Sequence, residues 1–437
     1  MRSSEDLTAD LVARDPALPL GLVLDEGALS GWLAERTGVV GTARRRYLRY
    51  KPRSSVTALV DWHSPTGSEP LVVNAWAAAS TPKLAKTVAH APQGSLVTID
   101  HRQRVLVSTP AADRHVPALS ALAAPHHRAV ADLLGRCPRP LTTLAYKPHR
   151  RWVGRLPAED HPAAATLLLR AYRRGRAHRP WQLLELLAQT QVAATRPLAY
   201  HRRLDLIVGS WATGTPMDAL VAADPTSNQI AEVGTLLARL HTAQPPLIQP
   251  RFGAGWIPHA SGPDSLAEAV ASLSTLDPEL ATRTTALVER LTAALAPTPA
   301  SDQSTALIHG DFSLDQVVAT HAGPVLLDLD RASIGDPAAD LGSTLAVLYG
   351  EPHTRLMAAD LLQQLLTGYA QQAPLPPLAR IAVHAADQLL RRAVEPFRHG
   401  ESQWRRAIAI ALSTAEQLLD EGDIIRPRRS LTRGASR

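Results

Sequence analysis

Two acidic residues follow apolar segments at a spacing that suits phosphoryl transfer. Asp311 comes three residues after the apolar pair Leu307–Ile308, and Asp328 comes directly after Val325–Leu327. If both segments are strands, their ends bring the two carboxylates within reach of one ligand. Together with an amide oxygen, such as that of Gln316, they would form an oxygen-rich site that suits Mg²⁺. Mg²⁺ beside an acid that can accept a proton is what phosphoryl transfer to a hydroxyl requires.

A wider motif around these acids resembles that of a known family. It consists of His309-Gly310-Asp311, Gln316, Asp328, Gly335-Asp336-Pro337 and Asp340. The motif resembles the signature of aminoglycoside and choline phosphotransferases, which have the protein-kinase-like fold. This resemblance implies that Asp311 is the catalytic base and that Asp328 binds Mg²⁺ bridging the phosphates. It also implies that Asp340 holds the catalytic loop and that Asp336 caps the following helix.

The chain ahead of the motif is similar to the N-lobe and hinge of these kinases. Leu206–Pro216 resembles their last N-lobe strand and hinge, and the helix that ends at His241 resembles the one that precedes their catalytic loop. The resemblance implies that the backbone around Ser210, Trp211 and Ala212 binds the nucleotide base. Because backbone atoms would do this work, the residue types leave ATP and GTP equally open as donors.

Two positions depart from the family pattern. Gln316 stands where the family has Asn, which leaves both metal ligation and a plain hydrogen bond open for its amide. Arg170 stands in the strand that should carry the phosphate-binding lysine, and arginine binds phosphate with a planar fork instead of a compact ammonium. Glu185 on the next helix is its expected ion-pair partner. Lys147, which we expect to open an earlier strand, is a competing phosphate ligand, and a solvated charge is the alternative for Arg170.

Apolar patterning predicts an α+β arrangement along the chain. The predicted strands are Arg44–Tyr50, Ser55–Trp62, Leu71–Trp76, Ser95–Asp100 and Arg104–Ser108, and the predicted helices in this region are Pro82–His90 and Leu119–Leu134. Short segments rich in valine, leucine and aromatic residues between turn residues are typical of strands. From residue 228 onward the apolar spacing is helical, as in Ile230 to His241.

Residues 140–220 repeat the order of elements that precedes them. Tyr146-Lys147-Pro148 echoes Tyr50-Lys51-Pro52 at an offset of 96, and the match continues once five inserted residues are allowed. Either the N-lobe is duplicated, or two strand-rich segments of similar composition resemble each other. Asn74 of the first copy stands at the position of Arg170, so we expect this copy to be non-catalytic.

The predicted fold is α+β and bilobal, of the protein-kinase type, with an extra strand-rich domain in front. The predicted domains are residues 1–137 (an N-lobe-like, non-catalytic domain), 138–215 (the kinase N-lobe), 216–422 (the helical C-lobe with the catalytic loop) and 423–437 (a basic disordered tail).

Charge and composition exclude several classes of protein. The 437 residues carry a formal charge of +6, but the twelve residues from Arg426 onward hold five arginines and no acid, which leaves +1 for residues 1–425. Nucleic acid is therefore an unlikely partner of the folded body. No apolar run approaches the ~18 residues of a membrane span, and the start of the chain has no signal-peptide pattern. We expect a cytoplasmic protein.

The motif as a whole predicts a small-molecule kinase. ATP or GTP with Mg²⁺ would donate a phosphoryl group to a hydroxyl of an aminoglycoside-like, sugar or amino-alcohol substrate. The alternative is a kinase-like protein that binds a nucleotide or a partner without turnover, which Gln316, Arg170 and the extra domain favour. The sequence leaves the acceptor and the oligomeric state open.

Overall fold

The structure is a computed structural model that describes residues 3–124, 126–135, 141–158, 165–224, 228–243, 263–296 and 305–422. The predicted tail at 423–437 and the predicted domain boundary at 137–138 lie outside these residues. Across the described part of the chain, no helix combines the length and apolarity needed to cross a bilayer. The cytoplasmic location stays a prediction.

Helices and a five-stranded antiparallel sheet form the N-terminal domain. Its elements are α1 (Ser4–Arg14), α2 (Leu20–Leu24), α3 (Glu26–Thr37), β1 (Thr42–Lys51), β2 (Ser55–Ser64), β3 (Gly67–Trp76), α4 (Thr81–His90), β4 (Leu96–Asp100), β5 (Val105–Ser108), α5 (Ala118–Ala123) and α6 (Arg128–Leu134). The strand order is β1-β2-β3-β5-β4. All five strands predicted in this region are confirmed, within a few residues at their ends.

The helix predicted at Leu119–Leu134 is wrong as a single element. The structure has α5 and α6 in its place, and Ala124 between them has an extended backbone with φ −72° and ψ 127°. Pro125 follows Ala124 in the sequence, and the residue before a proline is disfavoured in the helical conformation. The sequence therefore contained the reason for this break.

A second five-stranded sheet repeats the topology of the first. Its elements are β6 (Thr142–Lys147), β7 (Arg151–Leu156), β8 (Leu167–Tyr172), α7 (His178–Leu187), β9 (Pro197–His201) and β10 (Leu206–Ser210), and the strand order is β6-β7-β8-β10-β9. In chain order, the helix lies between the third and fourth strands of each sheet: α4 between β3 and β4, and α7 between β8 and β9. Lys147 ends β6, so our expectation that it opens a strand is wrong.

The turns of the two sheets correspond in detail. Arg53 and His149, at an offset of 96, both have positive φ (55° and 63°) in the first hairpin turn. One buried aspartate accepts a tyrosine hydroxyl and the backbone N–H of this turn residue in each copy, Asp15 in the first and Asp113 in the second. The structural repeat thus extends to individual hydrogen bonds, while its origin by duplication stays a prediction.

The remaining chain forms a mostly helical lobe that contains small antiparallel sheets. Its elements are β11 (Thr215–Pro216), α8 (Met217–Ala223), α9 (Gln229–Thr242), α10 (Pro263–Leu276), α11 (Ala281–Leu295), β12 (Ala306–Ile308), β13 (Val317–Thr320), β14 (Gly323–Leu326), β15 (Ser333–Gly335), α12 (Ala338–Gly350), α13 (Ala358–Tyr369), α14 (Leu378–Arg392), α15 (Glu395–Arg398) and α16 (Trp404–Glu421). The fold is therefore α+β with a strand-rich lobe, a helical lobe and an extra strand-rich domain, as predicted.

Two glycines allow α9 and α13 to approach each other closely. A Cβ on Gly234 of α9 would lie 1.9 Å from the carbonyl oxygen of Leu365, and one on Gly368 of α13 would lie 1.7 Å from that of Ala231. Both distances are far inside van der Waals contact with backbone atoms, which cannot move aside. α9 also contacts β12, which leads into the acids of the motif.

We expect Gly234→Ala to lower the free energy of unfolding by about 1–3 kcal/mol, because the added methyl forces the two helices apart. Gly31 in the exposed part of α3 is the matched control, since a Cβ added there would meet no atom within 4 Å. Gly31→Ala should stabilise the chain by about 0.5–1 kcal/mol through helix propensity. Urea unfolding of both variants measures the difference, and equal effects would contradict the close packing.

Candidate active site

A short pair of antiparallel strands and a glycine position the loop that carries Asp311. β12 pairs with β15 in antiparallel register from Ala306 to Ile308, and the loop His309–Asp311 follows. Gly310 has φ +81°, and a Cβ there would lie 2.4 Å from the carbonyl oxygen of Arg331. Because a side chain at this position meets both strain and a backbone atom, glycine is required between His309 and Asp311.

The buried carboxylate of Asp340 holds this loop from the first turn of α12. It accepts hydrogen bonds from the backbone N–H groups of His309, at 2.6 Å, and Gly310, at 2.8 Å. The imidazole Nε2 of His241 lies 3.0 Å from the same carboxylate. Burial raises the pKa of Asp340, but the hydrogen bond from His241 and the neighbouring charges lower it overall. Asp340 therefore stays ionised and positions the loop, as the resemblance led us to expect.

Asp311 itself faces solvent between two arginines. Its side chain is 37% exposed, and its carboxylate oxygens lie 3.4 Å from Arg331 Nη1 and 3.6 Å from Arg392 Nη1. Arg331 follows β14 in a short 3-10 turn, and Arg392 is the last residue of α14. The carboxylate is thus rigidly placed by its backbone and open at its oxygens, as a proton acceptor for a bound ligand must be.

Asp328 is engaged by a cation that the sequence did not reveal. Arg151 at the start of β7 donates from both terminal nitrogens to the Asp328 carboxylate, with one distance of 2.7 Å, and it also donates to Asp330. The hydroxyl of Tyr172 donates to Asp330 at 2.7 Å. Burial would raise the pKa of Asp328, but the charge and hydrogen bonds of Arg151 lower it to about 2.

The two carboxylates fit a cation, since they already converge on one. In the described part of the chain, no three histidine, cysteine or acidic side chains are placed to form a metal cage. Asp328 with Asp330 would nevertheless supply the hard oxygen ligands that Mg²⁺ prefers, at the position that the Arg151 guanidinium holds. A divalent metal at this position has to displace Arg151.

Gln316 is placed beside the site, but its amide is turned elsewhere. Its backbone carbonyl accepts the N–H of Leu327 at 2.9 Å, which puts it next to the strand that leads to Asp328. Its side-chain amide nitrogen donates to Asp315 at 2.6 Å. Metal ligation by Gln316 stays a prediction, and it requires the amide to turn away from Asp315.

The ion pair expected between Arg170 and Glu185 is not formed. Arg170 is buried in β8 and donates to the Thr195 hydroxyl at 3.3 Å, whereas Glu185 is exposed on α7. The leucines on both sides of Glu185 turn the other face of the helix toward the core. Arg170 is close enough to Asp328 for its charge to help lower the pKa of that carboxyl, so it lies in the site without the partner that we predicted.

The predicted hinge follows β10 in the structure. The backbone N–H of Ser210 donates to the carbonyl of Arg196 at 2.9 Å, and its hydroxyl accepts from the N–H of the same residue. Trp211 and Ala212 come next and are partly exposed, and the Arg155 guanidinium lies 5.1 Å from the Trp211 ring centroid. Base binding by these three residues stays a prediction.

Arg151 is the residue of this site that sequence reasoning missed. Its ion-pair partner Asp328 lies 177 residues away in the chain, and nothing in its local pattern separates it from the exposed arginines near it. One signal was available: Asp328 and Asp330 form a pair of acids two residues apart, and such a pair requires a compensating cation once it is buried.

We expect Arg151→Gln to lower the melting temperature of the metal-free protein, because Asp328 and Asp330 lose the charge that compensates them. The variant should bind Mg²⁺ about tenfold more tightly in calorimetry without nucleotide, since no guanidinium competes for the carboxylates. Arg155→Gln on the same strand is the matched control, because Arg155 contacts Trp211 and no acid of this pair. Equal Mg²⁺ affinity in all three proteins would contradict competition by Arg151.

The same ion pair predicts a pH dependence. The folded pKa of Asp328, about 2, lies below its ordinary value of 3.8, so the pair stabilises the fold above about pH 4 and is lost as the pH falls toward 2. The difference in melting temperature between the natural chain and Arg151→Gln should stay constant from pH 7 to pH 5 and shrink below about pH 4. Differential scanning fluorimetry across this range tests it, and a difference that vanishes between pH 7 and pH 5 would rule out this pair as its source.

Comparisons with known proteins identify a family and similar folds. A family model described as "Phosphotransferase enzyme family" matches residues 147–375, which is more than half of the chain. The structure is similar to a thermostable mutant of aminoglycoside phosphotransferase APH(4)-Ia in its apo form, with a TM-score of 0.50 and 14% identity over 67% of this chain and 98% of that one. A search of curated protein sequences finds no match.

Two further solved structures show weaker similarity. The amicoumacin kinase hAmiN in complex with AMP-PNP, Ca²⁺ and Ami has a TM-score of 0.49 and 16% identity, over 67% of this chain and 92% of that one. The macrolide 2'-phosphotransferase MphH from Brachybacterium faecium has a TM-score of 0.41 and 22% identity, over 62% of this chain and 91% of that one. The family match and the arrangement of Asp311, Asp328 and Asp340 lead to one conclusion. The chain belongs to the phosphotransferase enzyme family.

Proposed function

We propose that the chain is a small-molecule kinase that transfers the γ-phosphoryl group of ATP or GTP to a hydroxyl of an aminoglycoside-like, sugar or amino-alcohol substrate. The observation that carries this proposal is the Asp311 loop, which is fixed by Asp340 at two backbone N–H groups and leaves the Asp311 carboxylate open to a ligand. A base that is held rigidly by its backbone needs no reorganisation when the reaction begins.

Asp311 would accept the proton of the acceptor hydroxyl. As that proton leaves, the hydroxyl oxygen forms a bond to the γ-phosphorus, and the bond from phosphorus to the nucleoside diphosphate oxygen breaks. The guanidinium groups of Arg331 and Arg392 flank the carboxylate at 3.4 and 3.6 Å. The reaction then depends on placing the hydroxyl within hydrogen-bond distance of Asp311.

The nucleotide would lie between the strand-rich and helical lobes. Mg²⁺, when bound, neutralises charge on the phosphates, and Asp328 with the neighbouring Asp330 would hold it. Lys147 lies in the first hairpin of the N-lobe, and Arg170 is buried near Asp328; both are candidates to contact the phosphates. The backbone of Trp211 and Ala212 would face the base. Arg151 leaves the two carboxylates in this state.

The Arg151 ion pair also supports the second candidate, a kinase-like protein that binds a nucleotide or partner without turnover. In that case Arg151 would remain on Asp328 as a permanent substitute for the metal. Release of ADP with any hydroxyl acceptor in the presence of Mg²⁺ distinguishes the two candidates, since a permanent Arg151–Asp328 pair leaves no metal-binding carboxylate for transfer.

We expect Asp311→Asn to lower kcat for phosphoryl transfer by about 100-fold to 10,000-fold, because the amide cannot accept the hydroxyl proton. Nucleotide affinity, measured by calorimetry with a non-hydrolysable ATP analogue, should change little because Asp311 faces the acceptor. The assay is ADP release across a panel of amino sugars, sugars and amino alcohols.

Asp315 provides the matched control for this substitution. It lies in the same loop, is exposed, and bonds to Ser313 and Gln316 instead of facing the arginines. Asp315→Asn should keep activity within a few-fold of the natural chain. Full activity in Asp311→Asn, or a larger loss in Asp315→Asn, would show that the base is assigned to the wrong residue.

A further inference from the structure

The surroundings of Asp311 define where the acceptor binds, if the proposed phosphoryl transfer is correct. The acceptor hydroxyl has to reach the Asp311 carboxylate, so charged groups next to that carboxylate also face the rest of the acceptor. Their net charge therefore indicates the charge of the molecule that binds. This reasoning rests on the proposed function and asks which class of acceptor the same site selects.

Two arginines from separate elements reach toward Asp311. Their nitrogens lie 3.4 Å (Arg331) and 3.6 Å (Arg392) from its oxygens, and the two side chains are 56% and 43% exposed. Across the described residues, no carboxylate other than that of Asp311 lies within 4.0 Å of either guanidinium. Long and exposed ion pairs of this kind contribute little stability. Both guanidinium groups can therefore turn to a bound anion at small cost.

A lysine adds a third positive charge at this place. Lys147 is exposed at the end of β6. The surrounding protein lowers the pKa of Lys147, and so do the charges of Arg151 and Arg331, whereas Glu395 and Asp311 oppose the shift. The ammonium group thus lies within electrostatic range of Asp311 and Arg331. We call the solvent-exposed space in front of the Asp311 carboxylate the opening.

Two acids of the helical lobe near Arg392 in the chain are paired with cations inside the protein. Glu395 pairs with Arg398 at 2.6 Å and with His399 at 3.4 Å, and these partners hold its pKa at about 2 although burial opposes them. Asp387 is buried and accepts two hydrogen bonds from Arg391 at 2.8 and 2.9 Å. At Asp311 itself, two guanidinium groups therefore face one carboxylate.

A second group of positive charges lies where the N-terminal domain meets the N-lobe and α15. Burial lowers the pKa of Arg49, and the charges of Arg150, Arg173 and Arg398 lower it further. Lys51 has its pKa lowered first by Arg49. These residues come from the N-terminal domain, the N-lobe and α15, so three parts of the chain bring like charges together. Such a concentration of positive charge is unfavourable in the free protein because the charges repel each other. A bound anion offsets this repulsion.

We propose that the acceptor carries a negatively charged group, a carboxylate or a phosphate, beside the hydroxyl that is phosphorylated, and that Arg331 and Arg392 bind this group. A polycationic aminoglycoside or a choline-like amino alcohol would meet an excess of like charge at this opening. The acceptor class within the proposed kinase activity is then an acidic sugar or a hydroxy acid.

The test uses acceptors matched in threes, identical except for the charge of one substituent. The sets are gluconate, glucitol and glucamine; glucuronate, glucose and 6-amino-6-deoxyglucose; and glycerate, glycerol and 3-amino-1,2-propanediol. ADP release by the full chain gives kcat/KM for each compound at saturating ATP and Mg²⁺. We expect the acid of an accepted set to exceed its neutral counterpart by about tenfold or more, and the amine to rank last.

Substitution of one arginine tests the contact itself. Arg392→Gln should raise KM for the acid by about tenfold while KM for the neutral compound and for ATP change by less than about threefold. Arg392→Glu should move the preference toward the amine. Arg406→Gln, on an exposed arginine of α16, is the control and should change none of these values. An equal rise of KM for ATP in Arg392→Gln would overturn the proposal, since Arg392 would then bind the nucleotide phosphates.

Calorimetry with ADP present separates this proposal from the proposed function. If no compound releases ADP but the acids bind and Arg392→Gln weakens them, the kinase activity fails and the anion site is supported. If amines are phosphorylated and acids are not, the kinase activity holds and the anion site is overturned. Failure of every acid in the three sets to bind or react also overturns it.

Discussion

The Asp340 carboxylate is the group on which the candidate site depends. It is fully buried, and it accepts the backbone N–H groups of His309 and Gly310 while His241 and, through His241, Tyr369 stabilise it from the other side. A buried carboxylate is costly unless hydrogen bonds satisfy it. The burial of the ionised Asp340 therefore requires the loop to adopt the conformation in which both of these N–H groups donate to it. Because Asp311 directly follows Gly310, these hydrogen bonds also fix the position of the Asp311 backbone.

The second constraint is the balance of charge between the two lobes. Asp328 and Asp330 belong to the helical lobe, and both are partly buried against β7 and β8. Arg151 and Tyr172 of these strands meet them, so the strand-rich lobe supplies the cation and the hydroxyl that the acids need. Arg151 thus joins the two lobes through the carboxylates that we propose as metal ligands. If these carboxylates bind Mg²⁺ as proposed, metal binding and this contact between the lobes compete for the same oxygens.

Much of this site could be predicted from sequence because its residues are close together in the chain. Asp311, Asp328, Asp336 and Asp340 lie in one short stretch, and their spacing reflects one loop, one hairpin and one helix turn. The strands were also predictable, because apolar and aromatic residues between turns encode them locally. Contacts between distant segments were not: Arg151 meets Asp328 across 177 residues. Glu185 fails as a partner of Arg170 because the helix periodicity that buries its leucine neighbours turns it to solvent.

The sheet of the N-terminal domain has the topology of the N-lobe sheet but uses one equivalent position differently. Asn74 occupies in the first sheet the position of Arg170 in the second, and its side-chain oxygen accepts from the Thr57 hydroxyl and lies 3.0 Å from Nε2 of His149. His149 is in the first hairpin turn of the N-lobe, next to Lys147. The first sheet therefore uses the position equivalent to Arg170 to support the turn that follows Lys147. One apolar cluster, which includes Leu59, Val72, Leu169 and Val208, also joins the two sheets. The N-terminal domain is thus joined to the N-lobe by an apolar cluster and by the hydrogen bond between Asn74 and His149.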